Sequence, residues 1–420
     1  MPSFSFVHIS DTHLDSPFSG FSLDNPDLAS VMRSATFEAF DGAVRLCLEE
    51  EVDFLLVAGD VYDGADRGLR AQVRFRDGLK ALDEAGIFSF VVHGNHDPLT
   101  GWSSTLDWPS RTHVFRDRVD TVRVEREGVP LACVQGISYR ETEERRNLAR
   151  LFTRTGPLFH IGLLHANVGS DTGHEPYAPC TLEDLLRADM DYWALGHVHR
   201  RRVLAEDLPL IVYPGNTQGR NIRETGARGC YLVRIDERGD ADIRFHETDV
   251  IRWAARECPI QDLDSEQGLL DRLAGLCRDL SREESGRPVI VRITLTGSGP
   301  LHSLVGTPDA REDLREILRE SAMSLSPFVW VEGVADRTGP EMDLAGWARG
   351  EDFLGELLRC AREVREDRRL DDLSQKELSL LYGDPRVRRF LDAPDPRRLR
   401  TLLEKAEEIC AEGLKEGGDP

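Results

Sequence analysis

The sequence lacks the features of a secreted, disulfide-linked or membrane-spanning protein. Its eight cysteines are scattered without a Cys-x-x-Cys pair, so neither a zinc ribbon nor a disulfide framework is expected. No window approaches the ~18 consecutive apolar residues of a membrane span. The residues after Met1 contain no basic region followed by a long apolar one. We therefore expect a cytoplasmic protein with reduced thiols and no membrane contact.

Positive charge is also scarce. The chain has 53 Lys and Arg against 75 Asp and Glu, which gives a formal net charge of −22 over 420 residues. Proteins that bind nucleic acid unaided usually neutralise phosphates with Lys and Arg. A phosphate-bearing substrate would therefore need local attraction from metal ions, from a few arginines or from a basic partner.

The first hundred residues alternate between buried strands and helices. Apolar runs at Phe4–Ile9, Phe54–Ala58 and Phe88–Val92 predict strands, and helical spacing of apolar residues appears at about 29–50 and 68–85. Strand–helix alternation is typical of an α/β fold, and open α/β sheets place ligand sites at the carboxyl ends of their strands. Two later strands are predicted at Phe159–Leu164 and Tyr192–Leu195.

Polar residues follow all five of these strands. The set that could bind metal or move protons consists of Asp11, His13, Asp60, Asn95, His96, His165, His197 and His199. Oxygen and imidazole donors without a thiolate suit Mn²⁺, Fe²⁺ or Zn²⁺. Eight groups exceed the needs of one ion and match two ions ~3.5–4 Å apart. Taken singly, each cluster also fits a polar turn or loop.

The remaining chain predicts shorter strands and then helices. Strands are expected at about 119–125, 131–135, 202–205, 210–213, 230–235 and 243–247, with a charged helix at about 141–152. Residues beyond Trp253 read as a small α+β unit, and residues beyond Asp336 as charged helices. We expect three domains, at 1–253, 254–335 and 336–420.

The ordered set of motifs resembles the calcineurin-like metallophosphoesterase signature. The motifs are Asp11-x-His13, Gly59-Asp60-x-x-Asp63, Gly94-Asn95-His96-Asp97, His165 and Gly196-His197-x-His199. Within that superfamily the chain most resembles the DNA-repair exonuclease branch of SbcD-type subunits. The segments at 94–99, 174–179 and 214–220 look most like the YhaO-like relatives.

This resemblance implies a two-sheet α/β/β/α sandwich with a small α+β cap domain and a helical C-terminal tail. It implies two divalent ions, Mn²⁺ first and Fe²⁺ or Zn²⁺ as alternatives. The implied ligands are Asp11, His13, Asp60 and His199 for one ion, and Asp60, Asn95, His165 and His197 for the other. His96 would donate a proton to the leaving oxygen, and Asp97 would orient His96. We expect Asp63 to form hydrogen bonds near the site rather than to bind metal.

Five residues are candidates for substrate binding. Arg200 and Arg201 directly follow His199, and a solvated loop is the alternative for both. His174, Tyr177 and Arg220 lie in turn-rich or glycine-rich loops, for which a structural role is equally compatible with the sequence.

The resemblance implies a metal-dependent DNA nuclease, an exonuclease of DNA repair, acting with an SMC-like (SbcC-type) ATPase. The cap would shape access of DNA to the site, the helical tail would bind the ATPase, and a homodimer is a further expectation. A phosphoesterase acting on nucleotides or other small esters is the alternative enzyme. A non-catalytic scaffold is the alternative from another class.

Overall fold

Alternating strands and helices make up the first part of the chain, as the apolar periodicity predicts. The structure is a computed structural model that describes residues 1–16, 26–64, 68–101, 106–169, 175–283, 286–341, 344–366 and 396–416. Its first elements are β1 (Phe4–Ile9), α1 (Pro26–Glu49), β2 (Phe54–Ala58), α2 (Leu69–Glu84), β3 (Phe88–Val92) and β4 (Thr112–Val114).

The next elements form most of a second sheet and complete the first. They are β5 (Asp120–Arg126), β6 (Val129–Ile137), a 3₁₀ helix (Leu148–Leu151), β7 (Phe159–His165), α3 (Leu182–Arg187), β8 (Tyr192–Gly196), β9 (Arg202–Ala205), β10 (Leu210–Tyr213), β11 (Gly229–Ile235) and β12 (Ala241–Glu247). The first sheet has the strand order β12-β11-β1-β2-β3-β4, and the second has the order β5-β6-β7-β8-β10-β9.

Parallel pairing at the centre of both sheets explains where the polar clusters meet. Strands β1 to β4 pair in parallel, as do β6, β7, β8 and β10. The outer strands pair antiparallel. In the first sheet β11 pairs with β1 and with β12, and in the second sheet β5 pairs with β6 and β9 pairs with β10. The carboxyl ends of β1, β2, β3, β7 and β8 therefore deliver their polar residues to the same end of the sandwich.

Alternation along each strand builds the layers. In β1, Phe6 faces the core between the sheets with Phe54, Phe90 and Tyr192, whereas Val7 faces the core under α1 and α2. A further core with Trp193 lies on the outer face of the second sheet. Because both faces of the central strands are covered, their residues are continuously apolar. The predicted two-sheet α/β sandwich is thus confirmed.

The C-terminal part contains a third sheet and several helices. Its elements are β13 (Arg252–Pro259), α4 (Glu266–Glu283), β14 (Val289–Ser298), α5 (His302–Val305), α6 (Pro308–Ala322), β15 (Val329–Gly339), α7 (Leu344–Trp347), α8 (Phe353–Glu366) and α9 (Pro396–Glu416). The third sheet has the order β13-β14-β15. Leu354 and Leu358 of α8 are buried with Ala411 of α9.

The chain divides into two units that do not follow simple sequence ranges. The first unit comprises Met1–Cys258, Leu270–Thr294 and Arg311–Ala335, and the second comprises Pro259–Leu269, Leu295–Ala310 and Asp336–Pro420. No helix within the described ranges is long and apolar enough to cross a membrane.

One predicted helix is wrong. Of residues 141–152, only Leu148–Leu151 forms a helix, and it is a single 3₁₀ turn. The Glu144 carboxylate accepts hydrogen bonds from the Arg146 backbone at 2.8 Å and from the Arg146 guanidinium at 2.9 Å. Such local side-chain bonds to the backbone compete with helix formation. The apolar side chains that pack in this stretch, Leu148, Ala149 and Phe152, lie in the 3₁₀ turn and directly after it, and the charged residues at 141–147 have no apolar stripe to bury.

Candidate metal centre

Several of the predicted ligands adopt a backbone conformation that is rare for residues other than glycine. The φ angles are +50° at Asp11, +41° at His13, +50° at Asp60 and +97° at His197. Such conformations cost of order 1–3 kcal/mol each and persist only where the surrounding structure requires them. All four residues lie just past the ends of strands. Their strained conformations point the side chains inward at a cost in folding stability.

Glycines beside the ligands allow the strands to approach closely. A Cβ at Gly94 would lie 2.3 Å from Asp60 Oδ1, and one at Gly59, where φ is +93°, would lie 2.4 Å from His165 Nδ1. A Cβ at Gly196 would lie 1.8 Å from the carbonyl oxygen of Ala58. A side chain at any of these positions would collide with a predicted ligand or with the backbone. Steric exclusion therefore explains why a glycine directly precedes Asp60, Asn95 and His197.

The first group of predicted ligands converges at the ends of β1, β2 and β8. His13 Nε2 lies 3.2 Å from His199 Nε2 and 3.9 Å from Asp60 Oδ2. His199 Nε2 lies 3.8 Å from Asp11 Oδ1. Bonds of about 2.0–2.2 Å to one ion separate neighbouring ligand atoms by roughly 3–3.5 Å. The arrangement is close to that of a metal site, and Asp11, His13 and His199 fit around one ion.

The second group surrounds the amide oxygen of Asn95. Asn95 Oδ1 lies 3.1 Å from His165 Nε2 and 3.2 Å from His197 Nδ1. His165 Nε2 lies 3.4 Å from Asp60 Oδ2, so Asp60 faces both groups. These separations match the spacing of ligands around a single ion.

Three of the four predicted histidine ligands have a partner that orients the ring from behind. His165 Nδ1 donates a hydrogen bond to the carbonyl oxygen of Ala58 at 2.9 Å, and His197 Nε2 donates one to that of Glu175 at 2.8 Å. His199 Nδ1 lies 2.7 Å from Glu224 Oε1. Because each outer nitrogen carries the proton, the inner nitrogen keeps its lone pair for a metal ion.

The charge states of the rings agree with this role. Burial lowers the pKa of His13 to about 4 and that of His197 to about 4, so both rings are neutral near pH 7. Burial also acts to lower the pKa of His165, but the negative charge of Asp60 outweighs it and raises that pKa to about 9. A cation bound at His165 Nε2 would replace this proton. The residues present therefore fit two divalent ions.

His96 lies beside the ligands with its own carboxylate partner. His96 Nδ1 is 2.8 Å from Asp63 Oδ1, and this hydrogen bond raises the pKa of His96. Asp97 instead accepts hydrogen bonds from the backbone of Gly94 at 2.7 Å and of Val61 at 2.9 Å, and it lies 3.0 Å from His93 Nδ1. Asp63, rather than the predicted Asp97, lies within hydrogen-bonding distance of His96 Nδ1, and the Asp97 carboxylate instead closes the Gly94–Asp97 turn.

A cavity of about 560 Å³ opens over the site. Its lining includes Asp60, Asn95, His96, His197 and His199, joined by Gly64, Pro98, Gly101, Thr142, Glu175 and Tyr177. The Tyr177 ring lies 6.0 Å from that of His197. Tyr177 therefore lines the cavity, and its binding of substrate stays a prediction; His174 lies outside the described residues.

The three candidate arginines do not line this cavity. Arg200 is exposed, and the Arg201 guanidinium lies 3.9 Å above the ring of Phe245. The Arg220 side chain reaches Asp63 and Ser16. Their binding of substrate remains a prediction.

Sequence reasoning missed Glu224, and no spacing rule marks it. Its carboxylate is joined to His199, to Asn216 Nδ2 at 2.9 Å and to the backbone of Arg220 at 2.7 Å. Burial tends to raise the pKa of Glu224, but hydrogen bonding and the charge of His199 lower it overall. The only available signal was an acid shortly after the glycine-rich loop at 214–220.

The fold and the site define a member of the calcineurin-like phosphoesterases. That family matches residues 4–201, and a family described as the middle domain of the metallophosphoesterase YhaO matches residues 253–339. This chain belongs to the YhaO-like metallophosphoesterases, and the predicted resemblance is confirmed. The family implies a metal-dependent phosphoester hydrolase with a dinuclear divalent metal site.

Individual relatives extend over most of the chain. The uncharacterized metallophosphoesterase YhaO of Bacillus subtilis (strain 168) is 34% identical over 414 residues, which is 98% of each chain. The DNA double-strand break repair protein Mre11 of Thermoplasma acidophilum is 24% identical over 93% of this chain and 100% of its own. A dimetal phosphatase from Danio rerio, of known structure, is 15% identical over 59% of this chain and 97% of its own, with a TM-score of 0.37.

Proposed function

We propose that this chain is a Mn²⁺-dependent DNA nuclease, an exonuclease of DNA repair that acts with an SMC-like ATPase. The observation that carries the proposal is the convergence of the seven side chains predicted to bind metal with a histidine, His96, that lies beside them at the cavity. Similarity to a DNA double-strand break repair protein along the whole of that relative supports DNA as the substrate.

The predicted ligands would hold two ions, with Asp60 shared between them. When bound, such ions neutralise the phosphate, activate a water molecule and stabilise the attacking and leaving oxygens. The side chains of Asp11, His13 and His199 would bind one ion, and those of Asn95, His165 and His197 the other. The net charge of −22 makes this local positive charge necessary for contact with a polyanion.

His96 would supply the proton for the leaving oxygen. Its ring lines the cavity, its Nδ1 is held by Asp63, and its Nε2 remains for the substrate. A positioned acid of this kind contributes typically ~10²–10⁴-fold to the rate. Asp63 keeps the ring in place and favours its protonated form, because an adjacent carboxylate stabilises an imidazolium.

The regions after residue 253 would control how DNA reaches the site and would bind the protein partners. Residues 254–335 would cap the site and shape the approach of DNA, and the helices of 336–420 would bind the ATPase. A homodimer is part of the same proposal. Co-purification with a tagged full-length chain would test both forms of assembly.

The activity is tested with the purified full chain, Mn²⁺ and end-labelled single- and double-stranded DNA. We expect cleavage by the wild type, a loss of at least ~100-fold in His96→Ala, and little change in His113→Ala, a histidine of β4 outside the cavity. No cleavage by the wild type, or undiminished cleavage by His96→Ala, would contradict the proposal.

A second candidate function is a phosphoesterase that acts on nucleotides or other small esters. It is favoured by the acidic chain and by a cavity that no arginine lines among the described residues. Turnover of small mono- or diesters that far exceeds DNA cleavage would select it. Protein prepared without chelator and found empty of metal would instead support the non-catalytic scaffold.

A further inference from the structure

Arg220 is tied to the candidate general acid through one intervening carboxylate. Its Nη1 lies 3.0 Å from Asp63 Oδ2 and donates to Ser16 Oγ at 2.7 Å. Ser16 Oγ in turn donates to Asp63 Oδ2 at 2.6 Å. The three groups form a closed triangle around one carboxylate oxygen, and the Arg220 side chain is only 12% exposed.

The two oxygens of Asp63 have separate tasks. Oδ2 takes the bonds from Ser16 and Arg220, while Oδ1 lies 2.8 Å from His96 Nδ1 and 3.7 Å from His13 Nδ1. Two donors on Oδ2 fix the rotation of the carboxylate, because a planar group held at one oxygen by two partners has little torsional freedom. The position of Oδ1, and with it the direction of the His96 ring, follows from that restraint.

The same loop also reaches the metal ligands. The Arg220 backbone N–H donates to Glu224 Oε2 at 2.7 Å, and Glu224 Oε1 lies 2.7 Å from His199 Nδ1. Residues 220–224 thus contact a ligand on one side and the partner of His96 on the other. A charge-assisted bond at each end favours a fixed loop over a solvated one.

We infer that Arg220 is a positioning residue, which holds Asp63 so that His96 points at the leaving oxygen of the substrate. This inference rests on the proposed phosphoesterase function of the site. It is an alternative to the expectation that Arg220 binds substrate directly, since Nη1 is held by Asp63 and Ser16 and Arg220 is not part of the cavity lining. Arg220 acts through Asp63 and does not touch the reacting atoms.

Leaving-group dependence distinguishes positioning of an acid from a general structural effect. A p-nitrophenolate leaves without a proton, whereas an alkoxide requires one. Arg220→Gln should therefore lower kcat on an alkyl ester by roughly 10- to 100-fold, a part of the ~10²–10⁴-fold typical of general acid catalysis. The p-nitrophenyl ester of the same phosphate should change by less than about threefold, with KM unchanged for both.

Three further variants sharpen the kinetic test. Arg220→Lys should recover part of the loss, since a cation remains near Asp63. In an Asp63→Asn background, Arg220→Gln should add little, because residues of one network are not additive. Arg223→Gln, an exposed arginine in the same loop, serves as the matched control and should leave both rates unchanged.

An equal loss of kcat on the alkyl and the p-nitrophenyl ester in Arg220→Gln would overturn the inference. A rise in KM with kcat unchanged would also overturn it and would assign Arg220 to substrate binding. If the wild type hydrolyses monoesters only, the same pair of leaving groups is used as monoesters.

A readout independent of activity keeps the inference separate from the proposed function. Crystal structures of metal-free wild type and Arg220→Gln should show the 2.8 Å contact between His96 and Asp63 kept in the first and lost in the second. Metal content per chain should be the same in both after loading with Mn²⁺. An unmoved His96 ring in Arg220→Gln would overturn the inference even if the wild type is an active nuclease.

Discussion

At the scale of single residues, three of the four imidazoles of the predicted ligand set have a hydrogen-bonding partner behind the ring. Backbone carbonyls hold His165 and His197, and a carboxylate holds His199. A carbonyl cannot be removed by substitution, whereas Glu224 can. The orientation of His199 is therefore the most accessible point at which to test how outer contacts tune the site.

Glu224→Gln should weaken binding of Mn²⁺ by about tenfold or more. Glutamine keeps an oxygen near His199 Nδ1 but removes the negative charge that makes the imidazole a stronger donor to metal. Calorimetric titration of the metal-free chain with Mn²⁺ measures the affinity. Glu206→Gln, at an exposed position, is the control, and equal affinity in both variants would contradict the assigned role.

His8 should make the chain less stable in acid. It is fully buried, with Nδ1 3.0 Å from the Tyr192 hydroxyl, and burial lowers its pKa from 6.5 to about 3. Below pH 6.5 the unfolded chain takes up a proton that the folded chain does not, so stability falls as the pH is lowered. The loss from this group is about 2 kcal/mol between pH 6.5 and 5.

Denaturant unfolding of the chelated protein at several pH values measures this loss. The slope of the unfolding free energy against pH measures the number of protons taken up on unfolding. His8→Gln should lower that number by about one near pH 5. Slopes that coincide for wild type and variant would show that His8 does not titrate on unfolding.

At the scale of elements, the site depends on how closely the ends of strands approach. Gly196 ends β8, and a Cβ there would meet the carbonyl oxygen of Ala58 at the end of β2. These two strands belong to different sheets. The glycine is therefore required by the contact between the sheets as well as by the turn that follows.

Gly196→Ala should destabilise the fold by about 3 kcal/mol or more, since a methyl group 1.8 Å from a backbone oxygen forces the sheets apart. Gly333→Ala in β15 is the matched control, because a Cβ there meets nothing within 4 Å. Urea unfolding of both variants gives the comparison. Equal stability of the two would show that the sheets separate at little cost.

At the scale of the whole molecule, the metal centre places buried negative charge inside an acidic chain. Asp11 and Asp60 are each 1% exposed, and the formal net charge is −22. Buried charges need a compensating partner. Two divalent cations would offset both the local carboxylates and part of the overall repulsion.

Removing metal should lower the unfolding temperature. Each ion that binds only the folded state at 100 times its Kd adds about 2.7 kcal/mol, which corresponds to roughly 5–10 °C per ion for a domain of this size. Calorimetry of chelated protein, before and after Mn²⁺ is restored, measures the shift. An Asp60→Asn variant should show a much smaller response, and an identical response would place the stabilising ions elsewhere.

The sequence by itself determined the order of the strands along the chain, the polar clusters at their ends and the family. The order of the strands within each sheet came from the structure. Short continuous apolar runs such as Phe54–Ala58 are typical of a strand buried on both faces, and the polar residues that follow them are adjacent in the sequence. The proposed metal ligands follow from that pattern, and the structure brings all seven together. Their role in binding metal stays a prediction.

Only the tertiary structure decided which groups support the ligands. Asp97, adjacent to His96 in sequence, turns to the backbone of Gly94 and Val61, while Asp63 arrives from another strand end to meet His96. Glu224 and Arg220 reach the site from a loop more than 150 residues away from Asp63. Spacing along a chain encodes contacts within an element, and contacts between distant loops follow only from packing of the two sheets.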